Sequence, residues 1–334
     1  MMYKVKGIWK AFTVRLSRIP PFFVEDSPYW VVHFFISCTD RAKMGTLTHI
    51  IQSFKGEHAL VTKQLGNHTT INGNEIYYEY YENKSAKQTF VLLHGFLSSS
   101  FSFRKMIPLM AANYKVVNID LPPFGKSGKS HQFKYSYENM AETLIQLLEN
   151  LHLGDVILVG HSMGGQICLN IAHQKPSIVK QIVLLSSSSY LPRMKKAMIY
   201  SSYLPFFPFY VKKYLEKSGL EANLQNVVYN QKMIDEEMRQ GYMEPFLHNE
   251  IFRALSRMIR DREGDLDEKV LKTINTPCLL IWGSHDRVVP LSIGKRLKED
   301  LPNSKLVVIN DAGHLIPEEK PSQVMSIIVE HLQN

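Results

Sequence analysis

The chain has 334 residues, of which 45% are hydrophobic and 21% charged, and its formal net charge at pH 7 is +8. These proportions are ordinary for a globular protein and exclude a largely disordered chain. The three cysteines suggest no disulfide framework, and the scattered histidines lack the spacing of metal ligands. We therefore expect a reducing, cytoplasmic location, with neither a metal nor another cofactor.

Residues 1–43 form a poorly defined N-terminal extension, in which seven basic residues stand against three acidic ones. Its apolar run at 29–38 is too short to cross a bilayer, which takes about 20 residues. One interpretation is an extension that contacts a membrane surface. The interpretation we favour is that the native chain starts at Met44.

From Met44 onward, the pattern predicts a helix at 46–54 and then a hairpin with its turn at Asn72–Gly73, between strands 69–71 and 76–81. Strands and helices then alternate, and two later strands follow at 277–282 and 305–310. The alternating elements are strand 89–94, helix 103–112, strand 114–120, helix 138–151, strand 155–159, helix 163–174 and strand 182–185. This alternation predicts an α/β fold, in which right-handed crossovers join the strands into a mostly parallel, doubly wound sheet.

Ser162 lies in the sequence GHSMGG, between an apolar strand and a helix with several small residues. This pattern is typical of a nucleophile elbow, in which a sharp strand-to-helix turn exposes a serine hydroxyl. Gly160 and Gly164 are needed there because larger side chains would collide with the neighbouring strand and helix.

A serine nucleophile needs a histidine as base and a carboxylate to orient that histidine. Asp286 follows the strand at 277–282, and His314 follows the strand at 305–310. The carboxyl ends of parallel strands meet at one edge of a sheet, so we expect Ser162, Asp286 and His314 to form a catalytic triad.

Four segments resemble the α/β-hydrolase fold family: HGF at 94–96, GHSMGG at 160–165, GSHDRVVP at 283–290 and DAGHLIPEEKP at 311–321. The resemblance covers roughly residues 70–334. It implies an oxyanion hole made by the backbone amides of Phe96 and Met163, and structural roles for His94 and His161. We interpret Asp120 as the cap of the turn that follows its strand.

The fold class is therefore an α/β-hydrolase fold with a helical cap inserted between later strands. We place the core at 44–189 and 269–334 and the cap, or lid, at 190–268. The cap is rich in aromatic residues, which suggests an apolar acyl pocket, although the same residues would serve equally to pack the cap onto the core. The residues expected to bind substrate are Phe96, Leu97, Tyr190, Tyr203, Phe206, Phe207 and Val288.

Basic residues interleave with the aromatic residues of segment 190–217. This favours a hypothesis of weak peripheral contact with a membrane, against the simpler interpretation of solvated lysines on an exposed helix. Nucleic-acid binding is not expected, because the charge is neither dense nor part of a known reader motif.

The sequence as a whole predicts a serine hydrolase that cleaves carboxylic esters, either lipophilic or small acyl esters, through a Ser-His-Asp triad and an acyl-enzyme. Its expected partner is a small-molecule ester. A serine at position 162 argues against epoxide hydrolases and haloalkane dehalogenases, which use an aspartate nucleophile. Three alternatives stay open: a C–C bond hydrolase, a cofactor-free haloperoxidase, and a ligand receptor or signalling protein with slow turnover. The physiological substrate and the oligomeric state are left open.

Overall fold

The computed structural model describes residues 66–333. The predicted helix at 46–54, the extension at 1–43 and Cys38 lie outside the described residues. The described part contains eight strands: β1 Asn67–Ile71, β2 Asn74–Tyr81, β3 Thr89–Leu93, β4 Lys115–Ile119, β5 Val156–His161, β6 Val179–Leu185, β7 Cys278–Gly283 and β8 Ser304–Ile309. They form one sheet with the order β1-β2-β4-β3-β5-β6-β7-β8. β1 and β2 pair antiparallel, as do β2 and β4, and every other neighbouring pair is parallel. The expected mostly parallel, doubly wound sheet is confirmed.

The strands agree with the predicted ones to within a few residues. The predicted hairpin joins β1 to β2, and its turn residues Asn72 and Gly73 have φ of 50° and 71°. Two positive φ angles define the turn that matches the twist of paired strands.

Twelve α-helices occur in residues 66–333. They are α1 Ile107–Ala111, α2 Tyr137–Asn150, α3 Met163–Gln174, α4 Lys196–Ser201, α5 Phe207–Ser218, α6 Leu220–Val227, α7 Glu236–Met243, α8 Glu250–Asp261, α9 Glu268–Leu271, α10 Leu291–Asp300, α11 Ile316–Glu319 and α12 Pro321–Gln333. Short 3₁₀-helices occupy Ser100–Phe103, Pro176–Ile178, Gln231–Met233 and Glu244–Phe246.

One predicted helix is wrong in its extent. The structure has a 3₁₀-helix at Ser100–Phe103 and a separate α1 in place of a continuous helix at 103–112. Pro108 lies in the first turn of α1, where its missing N–H costs no hydrogen bond. In the interior of a longer helix the same proline would remove one, so the helix starts beside it.

Both faces of the sheet are covered, which explains why its central strands are apolar throughout. Along β3, Phe90 and Leu92 pack with α1 and α12 on one face, whereas Val91 and Leu93 pack with α2, α3 and α10 on the other. Successive side chains of a strand point to opposite faces, so a strand between two helical layers needs apolar residues at every position.

Helices α4 to α8 lie between β6 and β7 and form the cap. The two ends of the cap meet at a neck, where Leu191 N donates to Asp265 Oδ2 (3.1 Å) and Asp265 N donates to Leu191 O (2.8 Å). The Arg262 guanidinium donates to Pro192 O (3.3 Å) in the same neck. The cap boundaries at 190 and 268 stay a prediction. Across residues 66–333, no helix combines the length and apolar character that crossing a membrane requires.

Glycines let α3 approach the sheet closely. A Cβ at Gly164 would lie 2.1 Å from the carbonyl oxygen of Leu93 in β3, and a Cβ at Gly160 would lie 2.5 Å from the carbonyl oxygen of Gly164. Both contacts involve backbone atoms, which cannot move aside as a flexible side chain can. The predicted need for glycine at these two positions agrees with these contacts.

We expect Gly164→Ala to destabilise the protein by about 3 kcal/mol, because α3 must shift away from β3 to make room for the methyl group. The matched control is Gly154→Ala, since a Cβ at this exposed glycine meets nothing within 4 Å. Urea unfolding measures both free energies. Equal stability of the two variants would contradict the close approach.

The neck predicts a pH dependence of stability. Burial raises the pKa of Asp265 to about 7, against the opposing effect of Arg262. The folded state therefore holds this proton more tightly than the unfolded state, and the stability it contributes is lost as pH rises through 7. Asp265→Asn keeps an acceptor for Leu191 N but removes the titration. Between pH 5 and pH 8, the unfolding free energy of the wild type should fall by about 2 to 3 kcal/mol relative to that of the variant.

Thermal or urea unfolding across this pH range measures the difference. Asp267→Asn, which removes a neighbouring carboxyl, controls for the change in net charge. Parallel pH profiles of wild type and Asp265→Asn would refute the prediction.

Candidate active site

Ser162 stands between β5 and α3 in a strained backbone conformation, with φ 52° and ψ −118°. A positive φ is unfavourable for a residue with a side chain and persists only where surrounding contacts enforce it. Here Ser162 N donates to Leu185 O and Ser188 N donates to Ser162 O, both at 3.0 Å. Ser162 precedes α3 without using its hydroxyl as a helix cap. Backbone hydrogen bonds to the chain at the end of β6 thus hold the turn without the Ser162 side chain.

Asp286 and His314 form a buried pair in which His314 Nδ1 donates to Asp286 Oδ2 at 2.8 Å. The other carboxylate oxygen accepts from Val288 N and Val289 N, each at 2.8 Å. These two amides fix the carboxylate in the loop that follows β7. Because Nδ1 donates to the carboxylate, Nε2 is the imidazole nitrogen left to accept a proton.

His161 connects this pair to the elbow. The residue directly precedes Ser162, and its Nε2 donates to the carbonyl oxygen of His314 at 2.9 Å. The rings of His161 and His314 have centroids 4.8 Å apart. Burial lowers the pKa of His161 well below its usual value, which favours the neutral imidazole, and its hydrogen bond links the elbow to the loop that carries His314.

His94 and Asp120 have structural contacts, as expected from the sequence. His94 Nδ1 donates to Gly95 O (2.8 Å) and its Nε2 accepts from Leu121 N (2.9 Å), while burial lowers its pKa. The carboxylate of Asp120 accepts from Lys126 N at 2.7 Å and from Ser100 N at 2.6 Å. It therefore caps the turn after β4 and also ties that turn to the loop after β3.

The two residues predicted to supply oxyanion amides are Met163, which directly follows Ser162, and Phe96 in the loop after β3. Met163 is the first residue of α3, and N–H groups in the first turn of a helix have no acceptor within it. Phe96 follows Gly95, where a Cβ would lie 3.1 Å from Ser162 Cβ. The loop after β3 therefore packs directly against the serine. The role of both amides stays a prediction.

The residues expected to bind substrate occupy different environments. Leu97 and Val288 are buried on loops beside the elbow and beside Asp286, and Phe207 is buried inside the cap. Phe96 packs edge-to-face on Phe124, with ring centroids 5.5 Å apart. Substrate binding by these four residues stays a prediction.

The other three cap residues have contacts that suit different roles. The Tyr190 hydroxyl donates to Asp300 Oδ2 at 2.6 Å, with the Arg296 guanidinium 3.8 Å from its ring centroid, so this tyrosine is anchored against α10. Tyr203 and Phe206 are 66% and 80% exposed. Their side chains face solvent, and their part in substrate binding also stays a prediction.

Sequence reasoning missed an ionic cluster beside the site. The Arg104 guanidinium donates to the buried carboxylate of Glu318, which also lies 3.5 Å from Lys105 Nζ and accepts from the Tyr242 hydroxyl at 3.3 Å. Burial raises the pKa of Glu318. Glu318 belongs to the quoted segment 311–321, but nothing local in the sequence indicates its partners. The cluster joins the loop after β3, helix α11 and the cap helix α7.

The cap also contacts the loop that carries His314. Val227 O at the end of α6 accepts from His314 N (2.8 Å) and Leu315 N (3.1 Å). Glu319 accepts from Gly313 N and from Tyr229 N in the cap, both at 2.8 Å. Among residues 66–333, no three histidine, cysteine, aspartate or glutamate side chains are grouped as metal ligands.

Comparisons with known proteins agree with this architecture. A family model described as alpha/beta hydrolase fold matches residues 88–321. The Bacillus subtilis protein named uncharacterized hydrolase YugF is 50% identical over 264 residues, which cover 79% of this chain and 96% of that protein. A 2-hydroxy-6-oxononadienedioate/2-hydroxy-6-oxononatrienedioate hydrolase from Burkholderia vietnamiensis is 28% identical over 270 residues, covering 78% and 93% of the two chains.

Among solved structures, a bromoperoxidase from Bacillus anthracis superposes with a TM-score of 0.67 at 24% identity. The superposition covers 81% of this chain and 100% of the other. The match over most of the chain, the half-identical relative and the elbow between β5 and α3 together show that the chain belongs to the alpha/beta hydrolase fold family.

Proposed function

We propose that this hydrolase of the alpha/beta family is a serine hydrolase that cleaves carboxylic esters, either lipophilic esters or esters of small acyl groups, through an acyl-enzyme. The observation that carries the proposal is the buried Asp286–His314 pair, joined at 2.8 Å, whose histidine loop is tied through His161 to the serine held at φ 52°. The bond from His161 Nε2 to His314 O supports the assignment, because it fastens the histidine loop to the residue before Ser162.

In the proposed reaction, Ser162 Oγ attacks the ester carbonyl carbon while His314 Nε2 takes the hydroxyl proton. The tetrahedral intermediate collapses, the C–O bond to the alcohol breaks, and His314 returns the proton to the leaving alkoxide. Water then attacks the acyl-enzyme with the same histidine as base, which releases the acid and restores Ser162. Asp286 keeps the proton of the resting imidazole on Nδ1 and stabilises the imidazolium formed in each half of the cycle.

The negative oxygen of each intermediate needs donors fixed in advance. We assign this role to the backbone amides of Met163 and Phe96. Donors of this kind contribute about 3 to 4 kcal/mol each to lowering the barrier. The position of Met163 in the first turn of α3 adds the favourable end of the helix dipole.

C–C bond hydrolysis is the second candidate, because a relative 28% identical to this chain bears the name of a hydrolase of 2-hydroxy-6-oxo dienoic acids. The loop after β3 favours esters: it carries Phe96 and Leu97, followed by three serines at 98–100, where C–C hydrolases usually have small, glycine-rich sequence. A haloperoxidase-type enzyme and a receptor with slow turnover would use the same three residues. The first differs from an esterase in its substrate, and the second in its rate of turnover.

A fluorophosphonate probe should label Ser162, and Ser162→Ala should abolish the labelling, because the proposed base His314 and acid Asp286 would activate this hydroxyl. Ser284→Ala is the matched control, since Ser284 Oγ lies 2.8 Å from His285 Nδ1 but does not belong to the proposed triad. Intact-mass spectrometry and peptide mapping read out the adduct. Labelling that survives Ser162→Ala would contradict the assignment of the nucleophile.

The same preparations should be given p-nitrophenyl esters of increasing acyl length, a 2-hydroxy-6-oxo dienoic acid, and hydrogen peroxide with acetate and bromide. We expect fast turnover of the esters. Preferential cleavage of the dienoic acid would replace ester hydrolysis by C–C hydrolysis, and bromination would indicate the peroxidase-type reaction. Single, slow turnover with retained product would indicate a receptor.

Asp286→Asn should lower kcat for the best ester on the order of 10³- to 10⁴-fold with little loss of stability. The asparagine oxygen can still accept from Val288 N and Val289 N, but its NH₂ then faces His314 Nδ1. This forces the imidazole proton onto Nε2, which can no longer take a proton from serine. Asp311→Asn, an exposed carboxyl in the His314 loop, is the control and should keep kcat within about twofold. A small effect of Asp286→Asn would move the acid role elsewhere.

A further inference from the structure

The outer surface of the cap carries a cluster of exposed, bulky apolar side chains within eleven residues of chain. We call this cluster the aromatic face. Its members are 58% to 80% exposed and comprise Tyr200, Tyr203, Leu204, Phe206, Phe209 and Tyr210. Scattered single hydrophobic residues are normal on a protein surface, whereas a contiguous apolar cluster marks a site of contact with another apolar phase.

Helix α5 exposes aromatic residues on its solvent-facing side. Five exposed residues of the helix and its N-cap recur at spacings of three and four and therefore share one side. They are Phe206, Phe209, Tyr210, Lys213 and Lys217. Phe207 on the inner side is buried, and Lys212 Nζ lies 5.6 Å from the ring centroid of Phe252 in α8. An ordinary surface helix places polar residues at these outward positions.

Helices α4 and α5 both pack on α8 and form the outer layer of the cap. The Arg260 guanidinium of α8 lies 4.6 Å from the ring centroid of Tyr203 and fixes this part of the layer. The aromatic face is therefore a supported surface of packed helices.

Charge within the cap is divided between its two parts. Residues 190–218, which carry the aromatic face, have six basic residues and one acidic residue, whereas residues 219–268 have six basic and eleven acidic ones. The single acidic residue, Glu216, pairs with Lys213 at 3.0 Å. Basic charge is thus concentrated where the exposed apolar side chains are.

We propose that the aromatic face docks onto the surface of an anionic lipid bilayer. Rings of tyrosine and phenylalanine partition into the boundary between headgroups and acyl chains, while lysine side chains reach the lipid phosphates. Within the cap, Lys213 and Lys217 flank the rings on the same side of α5, which is the arrangement such an interface requires.

Charge disfavours two other occupants. In a symmetric dimer the same surface meets itself, so the basic residues of one copy would face those of the other. The chain's own residues 1–43 are also basic, with seven cations against three acids. An anionic lipid surface complements the aromatic face in both charge and apolar character. The proposal does not depend on the proposed reaction, because docking needs neither Ser162 nor His314.

Co-flotation of the full chain with vesicles tests the proposal. We expect binding to vesicles that mix phosphatidylcholine with phosphatidylglycerol, weaker binding at high salt, and much weaker binding to phosphatidylcholine alone. Lys213→Gln/Lys217→Gln should lower the partition coefficient about 30-fold, and Leu204→Ser/Phe209→Ser should lower it at least about tenfold. Circular dichroism and melting temperatures establish that each variant is folded.

Matched controls lie outside the aromatic face. Leu247→Ser changes another exposed apolar residue of the cap, and Lys295→Gln/Lys298→Gln changes net charge equally on α10. Both should bind like the wild type. Equal losses in controls and test variants, or no flotation with anionic vesicles, would overturn the proposal. So would a dimer in sedimentation velocity that Leu204→Ser/Phe209→Ser dissociates, or tight binding of an oligonucleotide that the lysine variant abolishes. Ser162→Ala should float like the wild type even if it hydrolyses nothing.

Discussion

The close contact between α3 and the sheet is the constraint on which the rest of the site depends. A Cβ atom at Gly164 or Gly160 would lie only 2.1 Å or 2.5 Å from a carbonyl oxygen. Because glycine has no such atom, the helix can begin directly at the end of β5. The chain then has no room for a gradual turn, and Ser162 takes up a positive φ. Its backbone strain is balanced by two hydrogen bonds to the chain at the end of β6.

This constraint also determines where the proposed catalytic partners of Ser162 must be. Strands β7 and β8 follow β6 in the sheet in parallel, so their carboxyl ends fall in line with the elbow. Asp286 and His314 lie on short loops from those ends, and each loop is fixed by hydrogen bonds to the main chain rather than by side-chain packing alone. The amides of Val288 and Val289 donate to the carboxylate of Asp286, and the carbonyl of Val227 accepts from the amide of His314.

The sequence allowed most of this framework to be predicted because its signals are local. Alternating apolar strands, the Asn72–Gly73 turn and the glycines around Ser162 each report on their own backbone. The break between Ser100–Phe103 and α1 was missed, although Pro108 marks the start of that helix. The cluster around Glu318 could not be predicted, because Arg104 is 214 positions away in the sequence. Only the folded structure brings the two side chains together.

The cap was predicted as an insertion, but the sequence did not show which of its aromatic residues are buried and which are exposed. Its aromatic residues separate into buried ones, such as Phe207, and exposed ones, such as Phe206, although the two are neighbours in sequence. Composition cannot separate them, since the side that a helix buries depends on the helix it packs against, here α8.

The bond from Val227 O to His314 N has a consequence for engineering the protein. A cap is the natural module to exchange between relatives when a new substrate range is wanted. In this chain a replacement of residues 190–268 would also remove the carbonyl that holds the histidine loop and the Tyr229 amide that shares Glu319 with Gly313. The segment 227–230 therefore belongs mechanically to the core. Chimeras that retain it and exchange the helices on either side preserve the geometry around His314.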